Sequence, residues 1–405
     1  MARAGQQVVV DEGGLADRIS VGALVKAFPR GCVEAVIDAA GVREKRVRML
    51  PAWVVVYYVL TLALFMDLGG ARVMRKLVGT LGWAARGVAV AIPSEEALSK
   101  ARSRLGPVPL RLLFEAVAGP LAGPGTAGAF WRGLRVVSVD GTTLDVQDTA
   151  ANWDRFGGPA GRSVDGAKLR GAFPQLRLAV LAECGTRALI TAAVGAYATG
   201  EKTLTAGVLG SLDPTMVVLA DRNFPGYELW RDAAATGAAL VWRIGASFSL
   251  PVDEVLADGS YRSRMLVSRD LARTGAPDVV VRIIEYHLHD DDGTLTETFA
   301  LATTLLDPQA APARELADLY SERWQIETAI GVFKSSLKGD GVVLRSKTPD
   351  GAEQECWALL CAYHAIRDAI CAAAALSDQD PLRVSFVHAF DAVRGPVGGQ
   401  AAFPP

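Results

Sequence analysis

One stretch constrains this chain more than any other: Leu319 to Leu337, LYSERWQIETAIGVFKSSL. At roughly 100° per residue, Leu319, Ile326, Ile330, Phe333 and Leu337 fall into one apolar stripe near 220–280°. By the same rule Tyr320, Arg323, Glu327 and Lys334 fall at about 0°, 300°, 340° and 320°, a sector about 60° wide beside that stripe. The spacing predicts a helix that buries one face and holds a phenol, a carboxylate and two cations along its edge. A carboxylate binds a divalent metal, and flanking cations suit a polyanion lying across that metal. An ordinary amphipathic helix with solvated charges has the same pattern.

Two apolar runs upstream end on an acid. Leu134-Arg135-Val136-Val137-Ser138-Val139 leads to Asp140 and Gly141, and Met216-Val217-Val218-Leu219-Ala220 leads to Asp221. Both read as buried strands with an aspartate at the exit, and Gly141 as the residue that lets the backbone turn. Strand, Asp, Gly is also a common turn pattern. Between them, Gln175–Glu183 and Ala188–Tyr197 read as an antiparallel hairpin around Gly185 and Glu201–Leu212 as helical, while Asp154–Lys168 is a glycine-rich loop. A helix over Gly226–Thr236 and a strand over Ala238–Ile244 follow Asp221.

The first quarter is helical by periodicity: Leu15–Phe28, Cys32–Ala40, Ala52–Met66, Arg72–Leu81 and Pro93–Leu105. Pro51 to Met66 carries no charge, but sixteen residues fall short of the roughly 20 that a membrane span needs, so a buried helix is expected. Met1–Leu110 holds 15 Lys and Arg against 9 Asp and Glu, a net +6 in a chain whose total is −2. A basic first quarter before an acidic remainder suits a DNA-binding module ahead of a metal-binding one; chance scatter of charge gives the same asymmetry. Lys100 and Arg104 share a helix face, with Arg102 elsewhere on the surface. Five cysteines without a C-x2-C pair read as reduced, buried thiols of a cytosolic protein, and no signal peptide is read at Met1.

The spacing Tyr-x2-Arg-x3-Glu-x6-Lys, with Trp324 after the arginine and Ile326 before the glutamate, resembles the YREK signature of the insertion sequence four family of DDE transposases. ADRNFPGYELW after the second apolar run resembles that family's second-aspartate motif, and ARSRLG at Ala101–Gly106 the close of a helix in its N-terminal domain. The resemblance spans about Ala16 to Ala375. It implies a mixed α+β, α/β architecture: a ribonuclease-H-like catalytic core interrupted by a β-rich insertion and preceded by an all-helical N-terminal domain. The corresponding boundaries are 1–118 for the helical DNA-binding domain, 119–133 for a linker and 134–245 for the first part of the core. The β insertion follows at 246–310, the second part of the core at 311–376, and a C-terminal helix and tail at 377–405.

By the same resemblance Asp140, Asp221 and Glu327 are the catalytic residues and hold Mg²⁺, with Mn²⁺ as a substitute. Tyr320, Arg323, Lys334 and Arg222 contact DNA phosphates near the site, and Lys100, Arg102 and Arg104 do so in the helical domain. The implied activity is cut-and-paste transposition: metal-dependent phosphodiester hydrolysis and strand transfer at the element's ends. The implied partners are double-stranded DNA, as terminal inverted repeats and target, and a second copy of the chain in a homodimer on paired ends. No membrane is involved, and the place of action is the bacterial cytosol. A catalytically silent DNA-binding protein descended from a transposase is the alternative. Hairpin-forming members place a tryptophan just before the signature helix to stack on a displaced base; Phe299 is nearest to that position here.

Other motifs carry less. His287-x-His289 before Asp290, Asp291 and Asp292 lacks a further ligand at characteristic spacing. His364 lies in an apolar helix and reads as a core histidine. No P-loop, G-x-S-x-G or G-x-G-x-x-G occurs.

Overall fold

The computed structural model describes residues 24–46, 48–80, 92–161, 170–245, 248, 250–267, 273, 275–289 and 295–394. The stretch Leu15–Ala23, the acidic run Asp290–Asp292 and most of the loop after Gly161 lie outside the described residues.

The N-terminal part is helical, as its periodicity predicts. Helix α1 (Arg30–Ala39), α2 (Ala52–Leu64), α3 (Gly70–Thr80), α4 (Glu95–Leu105) and α5 (Val108–Val117) follow one another. Helix α2 is apolar all round, and a helix of that kind has nowhere to go but a core: every residue from Val54 to Leu64 is buried. Tyr57 satisfies its hydroxyl inside that core by donating to the Phe28 carbonyl at 2.6 Å. Helix α4 starts at a proper cap, with the Ser94 hydroxyl accepting from the Ala97 N–H at 3.2 Å and Glu95 and Glu96 in the first turn.

Helix α4 and α5 lead through Gly119–Gly128, which forms only turns, into a mixed α+β region built on one large sheet. Strand β1 (Phe130–Trp131) pairs with β2 (Leu134–Asp145), and α6 (Ala150–Phe156) follows. The expected hairpin is β3 (Gln175–Glu183) and β4 (Leu189–Ala196). Short helix α7 (Glu201–Thr205) and a 3₁₀ segment, Ala206–Ser211, cross back to β5 (Met216–Ala220); α8 (Tyr227–Ala235) then leads to β6 (Ala239–Ile244). Strands β2, β5 and β6 run parallel, each pair joined by a helical crossover, whereas β3 and β4 are antiparallel additions on the far side of β2.

The residues read from the sequence as an inserted β unit continue this sheet. Strands β7 (Glu254–Val255), β8 (Tyr261–Met265), β9 (Val279–His289) and β10 (Leu295–Thr303) form an antiparallel meander whose last strand pairs with β6. Among the described residues the order is β4-β3-β2-β5-β6-β10-β9-β8-β7, with β1 beside β2.

The signature stretch is not one regular helix. Helix α9 (Ala313–Tyr320) tightens into a 3₁₀ turn at Ser321–Arg323, resumes as α10 (Trp324–Val332) and widens into a π turn at Phe333–Leu337. The chain then returns to the sheet, where Leu344 donates its N–H to the Asp145 carbonyl at 2.9 Å and forms a parallel bridge with Val146. Helix α11 (Pro349–Leu376) is long and apolar enough to cross a membrane by composition, yet it packs on α2 and α5, and α12 (Phe386–Arg394) packs on it. One apolar core therefore runs from the N-terminal helices through α11 to Leu144, Leu178 and Val180 on one face of the sheet. Residues 137, 139 and 181 point to the other face and a second core under α8.

Candidate active site

Parallel pairing of β2 and β5 sets Val139 opposite Ala220, so Asp140 and Asp221 come next on neighbouring strands at the same edge. Asp221 is the first residue after β5, half-buried, its carboxylate accepting from the Arg222 N–H and the Asn223 amide. The expectation of a strand exit at Asp140 is corrected. Strand β2 continues to Asp145, because β3 pairs with it all the way to the Asp145–Gln175 register. Gly141 makes no turn; it lies inside the strand, and a Cβ there would meet the Glu201 carboxylate 2.2 Å away.

Burial raises the Asp140 carboxyl to about 6, and the charges of Glu201 and Glu327 push the same way. The Gly141 N–H, donating to Oδ1 at 2.7 Å, and the Arg323 guanidinium pull it down. Glu327 comes from α10, whose buried Ile326 and Ala329 join the core over the sheet face of Leu178 and Val180. Glu327 pairs with Arg323 at 2.7 Å in i,i+4 geometry. Arg323 is 8% exposed. Burial works against its charge, but Tyr320, Glu327 and Asp221 outweigh burial and hold the guanidinium firmly protonated. Its charge thus acts on all three acids expected at the site. Its Nε is buried without a hydrogen-bond partner among the described residues.

Tyr320 is 5% exposed and its hydroxyl lies 3.4 Å from the carbonyl of Ala220, the last residue of β5. Burial pushes its phenol well above the usual range. The phosphate grip expected of Tyr320 is therefore corrected to an anchor between α9 and the strand that carries Asp221. Lys334 sits in the π turn, half-buried, and Arg222 is exposed beside Asp221.

Lys100, Arg102 and Arg104 are on α4, in the helical part. Arg102 is half-buried rather than free on the surface: its guanidinium donates to Gln354 at 2.9 Å, Ser346 at 2.9 Å and Glu355 at 3.0 Å. Helix α11 covers it, so its expected phosphate contact gives way to a structural joint. Lys100 is exposed and pairs with Glu96 at 2.6 Å. Arg104 is exposed and, with Arg43 and Arg48, lines a hollow of about 320 Å³.

Beside the acids lies a hollow of about 390 Å³ lined by Arg243, Tyr286, Phe299, Tyr320, Arg323 and Trp324. Phe299 stacks on Tyr286 with centroids 5.2 Å apart, and Arg243 lies 3.8 Å over its ring. Trp324 is 61% exposed at its mouth. Flat faces and a guanidinium suit a planar ring. Glu201, Arg243 and Tyr286 are what sequence reasoning missed: their partners lie on other elements, and pairing across a sheet leaves no local periodicity to read.

The donors at the site are hard oxygens, the set a small divalent cation prefers. Among the described residues no three His, Cys, Asp or Glu side chains are close enough together to hold one metal ion, and Glu327 is engaged by Arg323. The donor chemistry fits such an ion, with Glu327 released from its pair.

Residues 18–115 match the family described as insertion element 4 transposase N-terminal, and residues 131–364, more than half of the chain, match the transposase DDE domain. The chain is similar to the transposase InsG for insertion sequence element IS4 of Escherichia coli K12, 27% identical over 286 residues, covering 67% of this chain and 60% of that one. It is also similar to the putative transposase InsZ of the same organism, 24% identical over 153 residues, 38% of this chain and 50% of that one. It spans less than two thirds of the length of either relative. A solved piggyBac transposase synaptic complex with hairpin DNA overlaps 93% of this chain and 79% of its own at 9% identity, with a TM-score of 0.46. The chain belongs to the insertion element 4 family of DDE transposases.

Proposed function

We propose that the protein is a transposase that cleaves DNA at the ends of its element and joins those ends to target DNA, using Asp140, Asp221 and Glu327 with Mg²⁺ or Mn²⁺. The observation that supports this most is the register of β2 on β5, which puts Asp140 and Asp221 at one edge, together with the field of Arg323 acting on both and its pair with Glu327. The order β4-β3-β2-β5-β6, with three parallel central strands and two antiparallel ones, supports a ribonuclease-H-like core.

Divalent cations here supply an activated water or an aligned 3′-hydroxyl and stabilise the departing oxygen of an in-line displacement. The chain's own residues do the rest. Asp140 and Asp221 stay on the sheet edge. Glu327 leaves Arg323 to complete the donor set, which frees the planar fork of Arg323 for a phosphate. Lys334 adds a point charge and exposed Arg222 a second guanidinium along the same path. Tyr320 holds α9 against β5 so that these groups keep their spacing. The partners in this reading are double-stranded ends and target, with a second copy of the chain on paired ends. The basic helical part supplies salt-dependent contacts to the ends.

The test is Mg²⁺-dependent cleavage of DNA carrying the element's own ends. Wild-type protein is expected to nick at the end–flank junction, and Glu327→Gln to bind those ends and leave them intact. Equal cleavage by the two proteins would sink this reading.

A further inference from the structure

Two guanidiniums meet where α10, α11 and the β3–β4 turn come together, and no acid stands between them. Arg367, on α11, is fully buried. Its Nε donates at 3.1 Å to the hydroxyl of Tyr363, one turn back on the same helix, and that hydroxyl donates to the Arg187 carbonyl at 2.9 Å. Arg187 lies in the turn between β3 and β4, half-buried, and its own Nε donates to Gln325 of α10 at 2.9 Å. Burial pulls the Arg187 guanidinium below its ordinary range and the charge of Arg367 pulls it further; Tyr363 and Asp380 offset them only in part.

Ordinary packing leaves this charge unanswered. Nη1 and Nη2 of Arg367 are buried and have no hydrogen-bond partner among the described residues. Arg102, Arg135, Arg282 and Arg323 each pair with an acid, whereas among the described residues neither Arg187 nor Arg367 does. The rings of Tyr363 and Phe386, stacked with centroids 5.3 Å apart, stand 5.4 Å and 5.0 Å from the Arg367 guanidinium. Ring faces answer part of its charge but leave the N–H groups at its edge unspent. A water would satisfy an N–H and leave the charge unpaired in a core of low dielectric, which is costly. An oxyanion does both, and the planar fork of an arginine matches its geometry.

We propose that Arg187 and Arg367 form an oxyanion site that takes a phosphate group, with half-buried Arg187 on its solvent side and Arg367 at its floor. It is separate from the carboxylates: Gln325 and Glu327 are two positions apart on α10, about 200° around the helix, and face nearly opposite ways. A bound phosphate ties together the three elements that meet there, and the site does not depend on the transposase reading.

The test is the melting temperature of the full-length, DNA-free protein in rising inorganic phosphate, against chloride at the same ionic strength. Wild type is expected to gain several degrees beyond chloride once phosphate exceeds its dissociation constant. Arg187→Gln and Arg367→Gln are expected to need about 10- to 100-fold more phosphate for the same gain, the scale of one charge-assisted hydrogen bond. Arg323→Ala is expected to gain as wild type does, which separates this anion from one held beside the carboxylates. If Arg367→Gln does not fold, Arg187→Gln, changed at a half-buried position, decides the comparison. No gain in wild type beyond chloride, or the same gain in wild type and Arg187→Gln, would mean that the two arginines are merely hydrated, and the proposal falls. With phosphate binding in hand, a short DNA duplex in place of phosphate assigns the source. Protection by the duplex that Arg187→Gln loses marks a backbone phosphate; protection that Arg187→Gln keeps marks the free anion.

Discussion

Arg102 and Arg323 each pair with a glutamate, at 3.0 Å and 2.7 Å, and the two pairs are built for different ends. Glu355, the partner of Arg102, is 4% exposed; its second oxygen takes the Arg345 N–H at 2.7 Å, while Gln354 takes the Nε of Arg102 and Ser346 shares its Nη2. Glu327 is 36% exposed, and Arg323 keeps a buried Nε with no partner among the described residues. The Arg102 pair is closed in by further partners on both members, whereas the Arg323 pair keeps one member open to solvent and one buried donor unspent.

The largest effect expected from breaking this contrast is at Glu327. Glu327→Gln keeps volume and helix propensity but loses the charge, and cleavage of element ends should fall by about 10³-fold or more while the melting temperature holds. Arg102→Ala should do the reverse. It strands Glu355 in a buried network and should cost about 2–4 kcal/mol, read as a lower denaturation midpoint with the cleavage rate per folded molecule preserved. An unchanged midpoint would mean that the joint is ornamental.

Arg323→Ala sits between these. It should slow cleavage on the order of 100-fold through lost positioning and weaken end binding in a gel-shift assay, with residual cleavage at saturating protein. Smallest is the effect at Asp140, whose carboxyl stands near 6 folded against about 3.9 unfolded. A raised carboxyl favours the fold while protonated, and that contribution fades as pH climbs from about 4 through 6. In metal-free buffer at pH 7.5, Asp140→Asn should therefore melt above wild type, by on the order of 2 kcal/mol, and the gap should close toward pH 4. A gap independent of pH would assign the effect to packing instead.

Much of this was legible because it is local. Val136–Val139 and Met216–Ala220 are apolar runs that end at acids, and the stripe Ile326, Phe333 and Leu337 is a helical period; each of these became the strand or buried face it suggested. Arg102 misled because its cover, Gln354 on α11, lies 252 residues away, and surface position on a helix says nothing about what later packs there. Gly141 misled for a similar reason: its need for no side chain comes from Glu201, two strands on. The 3₁₀ and π turns that flank α10 have no signature in residue type, so uniform pitch put Tyr320 in the same polar sector as Glu327, whereas its hydroxyl meets β5.

The bridge between Val146 and Leu344 has a mechanical consequence. The strand bearing Asp140 and the helix bearing Glu327 are pinned to each other downstream of both acids, so the two carboxylates ride on opposite legs of a closed frame. Sliding one leg along its own axis would shear that pin. Swinging it would not, and the wide turn Phe333–Leu337 lies between Glu327 and the pin, where an elbow has to be.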